Sequence, residues 1–177
     1  MRAVVMYESM FGNTKSVAQA IAEGLEWRYE VELMAVAKAG AMSLTGVDLL
    51  VVGGPTHAWG MSRPSTRRGA ADQAEKSNGR LVLEDGAAGV GLREWIANMG
   101  SSDCVVATFD TRVHLPVALS GRASTKFASA LRRHGCHLAT EPESFFVTRD
   151  NELVPGEIQR ALSWGRELAA INLARVW

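Results

Sequence analysis

Short runs of consecutive apolar residues alternate along this chain with segments whose apolar residues recur at helical spacing. Runs of the first kind suit strands buried on both faces, and segments of the second kind suit the crossover helices that cover those faces. Residues 3–7 form the first run. Val17, Ile21 and Leu25 then fall at four-residue steps with Ala18 and Ala22 beside them, which makes one apolar helix face. Val31 and Leu33 alternate with Glu30 and Glu32, the pattern of an edge strand. Residues 48–53 and 104–109 read as central strands. A broken last strand covers 136–140 and 144–147, with Pro142 in the gap.

Between these runs the spacing predicts a short helix near 65–76 and another carried by Leu92, Trp95, Ile96 and Met99, with Gly100 as its stop. Ala123, Phe127, Ala130 and Leu131 define the next helix; its last turn carries Arg132, Arg133 and His134, cations suited to the negative end of the dipole, before Gly135. Ile158, Ala161, Leu162, Gly165, Leu168 and Ala169 make the last helix face. Five strands and about five helices in strict alternation, without repeat or linker, give one doubly wound α/β domain over residues 1–177.

Nineteen basic residues balance nineteen acidic ones, so no overall field draws the chain to nucleic acid or to an anionic membrane. No window approaches the roughly 18 apolar residues of a membrane-spanning helix, and the N-terminal run is short and ends in Glu8. Cys104 and Cys136 are too few for a disulfide framework and are not in C-x-x-C spacing, so a cytoplasmic location is expected. Both stand at the starts of their strands and read as core packing residues. Cys136 and His137, adjacent on a strand, point to opposite faces and cannot share a zinc ion with His134.

In a doubly wound sheet, ligands bind beyond the carboxyl ends of the strands, which singles out the loops after strands one, three and four. After strand one, Ser9-Met10-Phe11-Gly12-Asn13-Thr14 leads straight into a helix. Ser9 and Thr14 offer hydroxyls, Gly12 permits a tight turn, and the helix start supplies unpaired N–H groups with a positive dipole end. Spacing alone leaves two readings open, a phosphate site and ordinary helix capping. A Walker A loop ending at Lys15-Ser16 would need glycines at 9 and 14, where Ser and Thr stand. The glycines at 86, 89 and 91 lack the strand and third glycine of a dinucleotide fingerprint.

The N-terminal residues resemble the flavodoxin signature. Val5, Tyr7, Ser9, Gly12, Thr14, Ala18 and Ile21 match its pattern of aliphatic, aromatic, hydroxyl, small, Thr, Ala and aliphatic positions, and Met6 alone departs, conservatively. The resemblance extends to element order and length over essentially the whole chain. It implies the arrangement general to flavodoxin-like proteins, a five-stranded parallel sheet of order 2-1-3-4-5 with FMN bound, and residues 9–14 holding the FMN phosphate. It further implies that Pro55, Thr56, His57, Ala58, Trp59 and Gly60 wrap the isoalloxazine ring, with Trp59 against its face. Asp110, Thr111 and Arg112 would meet its pyrimidine edge.

As residues, Trp59 could be a core aromatic, but its Gly-rich setting favours a cleft. His57 could move protons or simply line the ring. Arg112 stands where the family's carriers often have acidic or aromatic residues. Arg63, Arg67 and Arg68 form either an anion-binding cluster or a solvated helix face.

The implied function is electron transfer through FMN, either as a carrier to a redox partner protein or as a small reductase using a nicotinamide and a quinone-like substrate. A binding or regulatory module without redox turnover is the alternative. No catalytic side chain and no metal are expected. A hydrolase built on Ser62 and His57 lacks the final glycine of a nucleophile elbow.

Overall fold

The computed structural model describes residues 1–40 and 42–173. Its strands are β1 (Arg2–Tyr7), β2 (Glu30–Ala35), β3 (Leu49–Pro55), β4 (Val105–Val113), β5 (His137–Leu138) and β6 (Glu143–Val147). The helices are α1 (Asn13–Leu25), α2 (Val36–Ala39), α3 (Pro64–Lys76), α4 (Leu92–Asn98), α5 (Val117–Ser120), α6 (Ala123–Arg133) and α7 (Glu157–Ala170). All the strand pairs are parallel, in the order β2-β1-β3-β4-β5, with β6 also on β4. β5 and β6 are the two halves of one interrupted edge position, pairing the start and the end of β4 respectively. Pro142, which has no N–H to give a ladder, sits in the gap. Arg122 fills that gap, donating to Ser144 Oγ at 3.0 Å and to the Pro142 carbonyl.

Each face of the sheet has its own apolar layer. On one, Ala3, Val5, Leu49, Val51, Val105 and Ala107 pack under α1 and α7; on the other, Val4, Met6, Leu50, Val52 and Val106 pack under α4 and α6. The alternation along strands apolar on every residue therefore feeds two cores at once. α1 and α7 cross at Gly24 and Gly165, where a Cβ on either would lie 2.4 Å from the Leu162 or Ile21 carbonyl oxygen. Phe109, Phe145 and Trp164 meet edge to face with ring centroids 6.0 to 6.3 Å apart.

Four details differ from the sequence reading. β4 runs on through Val113, because the polar Thr108 and Asp110 are satisfied inside: Thr108 Oγ1 donates to the Ser124 carbonyl and Asp110 Oδ2 accepts the Ser124 N–H, at 3.0 and 2.8 Å. On α7, Trp164 is buried and Ile158 is exposed, so the helix is rotated towards its aromatic side. Leu33 is exposed on the edge strand β2. α4 ends at Asn98 with Met99 extended, not with a left-handed Gly100. Among the described residues, no helix is long and apolar enough to cross a membrane.

Candidate functional site

The carboxyl ends of β1, β3, β4 and β6 open into a cleft of about 230 Å³. Its walls include Ser9, Met10, Phe11, Asn13 and Thr14 from the first loop, Pro55, Thr56 and His57 from the second, and Thr111 and Arg112 from the end of β4. Ten of the fifteen residues singled out from sequence thus line one depression.

The first loop enters α1 through Gly12, at φ +93°, and no side chain caps the helix. Its first turn holds no acidic residue. The opening N–H groups of a helix have no partner within it and carry the positive end of its dipole. Ser9 Oγ accepts the Gly12 N–H at 3.1 Å, which closes the turn. Thr14 and Thr111 share a buried hydroxyl hydrogen bond of 2.7 Å, joining the helix start to β4. Asn13 Nδ2 donates to the Asn151 carbonyl at 2.8 Å and holds the loop against the turn after β6. Met10 is buried, its side chain anchored in a small apolar cluster with Ala70 and Ala87.

The second loop reverses tightly. His57 and Gly60 exchange N–H to carbonyl hydrogen bonds of 2.8 and 3.0 Å around Ala58 and Trp59, whose φ values are +44° and +67°. Positive φ at both central positions is the signature of a type I′ turn, which is usually built from Asn and Gly. Holding two ordinary residues there costs about 1–2 kcal/mol each, and such strain collects at ligand-binding loops. The Trp59 side chain is 63% exposed. Its backbone rests on Gly121: the two form a bridge, and a Cβ at 121 would stand 2.2 Å from the Trp59 Cα. Thr56 Oγ1 accepts the N–H of Ala123 at 2.9 Å, fastening the loop to α6. Burial, and then the Arg67 charge, push the His57 pKa down, so the imidazole is neutral at pH 7.

Two expectations need correction. Asp110 does not face the cleft: it is 0% exposed and turned towards the start of α6, where burial raises its pKa above the ordinary range despite the Ser124 N–H. Arg63, Arg67 and Arg68 do not form a surface cluster, because Arg67 points inward at 2% exposure while the other two are exposed. Its guanidinium donates to Ser62 Oγ at 2.8 Å and pairs with Glu94 at 2.9 Å. Ser62 is buried under that contact, unsuited to act as a nucleophile.

Arg112 lines the cleft, and its Nη1 donates to the Leu115 carbonyl and Ser120 Oγ, both at 2.8 Å, while its guanidinium lies 5.0 Å from the Phe146 ring centre. The sequence reading missed Gln73, Leu81, Val113, Val147, Thr148, Arg149 and Asn151, which complete the walls. The carboxyl-end rule, applied to the second half of the broken last strand, would have found 147–151. Among the lining residues there are two arginines, Arg112 and Arg149, and no Asp or Glu. An uncapped helix start, hydroxyls beside it and cations without a carboxylate in the same walls together fit a phosphate-bearing ligand.

No protein-family model and no curated protein matches the chain. Solved structures do. A flavodoxin from the domain Archaea is 19% identical at TM-score 0.63, with 96% of each chain covered. Oxidised flavodoxin 1 from Bacillus cereus is 17% identical at TM-score 0.64, covering 95% of this chain and 97% of that one. The flavodoxin, WrbA-like protein from Agrobacterium tumefaciens is 21% identical at TM-score 0.61, with 99% of each covered. At such identities the likeness is one of fold, and the fold is flavodoxin-like.

Proposed function

We propose that this chain, as one domain, binds FMN in the cleft and passes electrons through it. The observation that carries the proposal is the start of α1, uncapped and with no acidic residue in its first turn, opening into a cleft whose walls hold two arginines and no carboxylate, in a flavodoxin-like fold. Bound FMN supplies one- and two-electron redox chemistry, and the protein supplies binding and electrostatics.

Residues 9–14 would hold the phosphate through the Ser9 and Thr14 hydroxyls and the N–H groups of the loop and first helical turn. Pro55, Thr56, His57, Ala58 and Gly60 would line the ring, with Trp59 as the aromatic available to cover one face. Thr111 and Arg112 would border it from β4. Neutral His57 offers one donor and one acceptor and no stored proton, which supports a lining role over acid-base work.

Positive charge beside a flavin favours the reduced state, so Arg112 and Arg149 suit a protein that accepts electrons readily and delivers them to a small acceptor. This supports the reductase form of the proposal, with a nicotinamide as donor and a quinone-like molecule as acceptor, over a low-potential carrier. Adding FMN to the protein should quench Trp59 fluorescence and give a protein-bound visible spectrum after gel filtration. A protein that stays colourless and unquenched would refute the proposal and leave a binding module without redox turnover.

A further inference from the structure

Strand order brings together two cysteines that lie 32 positions apart in sequence. Cys104 directly precedes β4 and Cys136 directly precedes β5, and the first paired residues of those strands are Val105 and His137. The two cysteines therefore occupy the preceding rung; the His137 N–H donates to the Cys104 carbonyl at 2.9 Å. Neighbouring strands lie about 5 Å apart, which falls inside the Cα separation a disulfide requires. Both side chains enter the same apolar layer, and their Sγ atoms are 3.0 Å apart, sharing a hydrogen bond. Closing that gap to a bond of about 2 Å takes roughly an ångström of side-chain motion and no change of register.

We propose that Cys104 and Cys136 form an oxidisable dithiol, a modification site that closes to an intramolecular disulfide when the protein meets a hydroperoxide. The reacting sulfur is Cys104. The hydrogen bond with Cys136 and a second one with Ser102 hold its thiol down to about 7, against burial and the Asp103 charge, whereas the Cys136 thiol is held up by the same shared proton and by burial. A thiolate is the attacking form. Peroxide is small enough to need little access, and a cavity of about 970 Å³ is lined by residues 99–103 immediately before Cys104.

The Cys104 thiolate attacks one peroxide oxygen: an S–O bond forms, the O–O bond breaks, and the other oxygen leaves as hydroxide, which takes a proton from solvent. Cys136 Sγ then displaces the sulfenic oxygen, the S–S bond forms, and that oxygen departs as water with the Cys136 proton. Two electrons pass from the sulfur pair to the peroxide, which ends as two waters.

The test exposes the folded protein to hydrogen peroxide and then denatures it for thiol titration, intact mass and non-reducing peptide mapping. The expected result is loss of both thiols, a mass lower by two hydrogens, and a peptide holding Cys104 linked to one holding Cys136, all reversed by a dithiol reductant. C136S should leave a single oxygen on Cys104 that a sulfenic-acid reagent traps, and C104S should slow loss of the remaining thiol by about tenfold or more. Because wild-type mapping needs no variant, failure of either variant to fold leaves the test intact. Two free thiols after exposure, oxygen adducts without a link, or a link between chains would each overturn the proposal.

Discussion

Replacing Gly121 with Ala strikes the second loop of the cleft from behind. The new Cβ would stand 2.2 Å from the Trp59 Cα and 2.4 Å from its carbonyl carbon and oxygen. All three are backbone atoms, so no rotamer change relieves the contact and the two segments must part by more than about 1 Å. The clash costs about 1–3 kcal/mol on the scale of overpacked sites. Alanine at φ +73° adds about 1–2 kcal/mol. If the whole domain bears this, about 2–5 kcal/mol, Tm falls by roughly 4–20 °C for a chain of this size. If the loop gives way instead, the strained turn at Ala58 and Trp59 loses its support, and on the proposed flavin reading Trp59 no longer covers the ring. FMN affinity then falls, by about tenfold for each 1.4 kcal/mol. Thermal unfolding and FMN titration of the same sample divide the cost between the two. An unchanged Tm together with unchanged FMN affinity would refute the reasoning.

Gly69, exposed on α3 with nothing near its would-be Cβ, is the contrasting case: Gly69→Ala should stabilise by about 0.5–1 kcal/mol in urea titration and leave FMN binding alone. The Asp110 pKa is raised by burial, so its contribution is full below the unfolded value of about 3.9 and is lost as pH rises through the folded value. Asp110→Asn, with its amide oxygen turned to the place of Oδ2 to accept the Ser124 N–H, should therefore shrink the loss of stability as pH climbs above about 4, as read from urea midpoints. Arg112→Ala should lower the midpoint potential of bound FMN in a redox titration, since it removes a cation from the cleft; an unmoved or raised potential would count against Arg112 as a tuning group.

The layered α/β plan was open to reading because strands apolar on every residue and helices apolar on one face are local patterns. Polar residues buried for structural reasons were not. Asp110 reads as the residue that ends the strand, yet the strand continues through it because Ser124, fourteen positions away, satisfies its carboxylate. Arg67 reads as a surface cation until Glu94 and Ser62 fold over it. The first wall of the cleft was legible because its residues are consecutive in sequence and follow the carboxyl end of β1. The far wall at 147–151 was hidden, since only the pairing of β6 with the carboxyl half of β4 brings it to the cleft. The cysteine pair follows from strand order and from nothing in the local sequence around either residue.

The central claim, that the α1 start binds the phosphate of a flavin, is tested most directly by titrating the protein with FMN and with riboflavin, which differ only in that phosphate. FMN should bind more tightly by about tenfold or more, as one or more charge-assisted hydrogen bonds would give. Thr14→Val, which removes the hydroxyl bonded to Thr111 at the helix start, should narrow the gap by weakening FMN and sparing riboflavin. Equal affinities for FMN and riboflavin in the unaltered protein would contradict the claim.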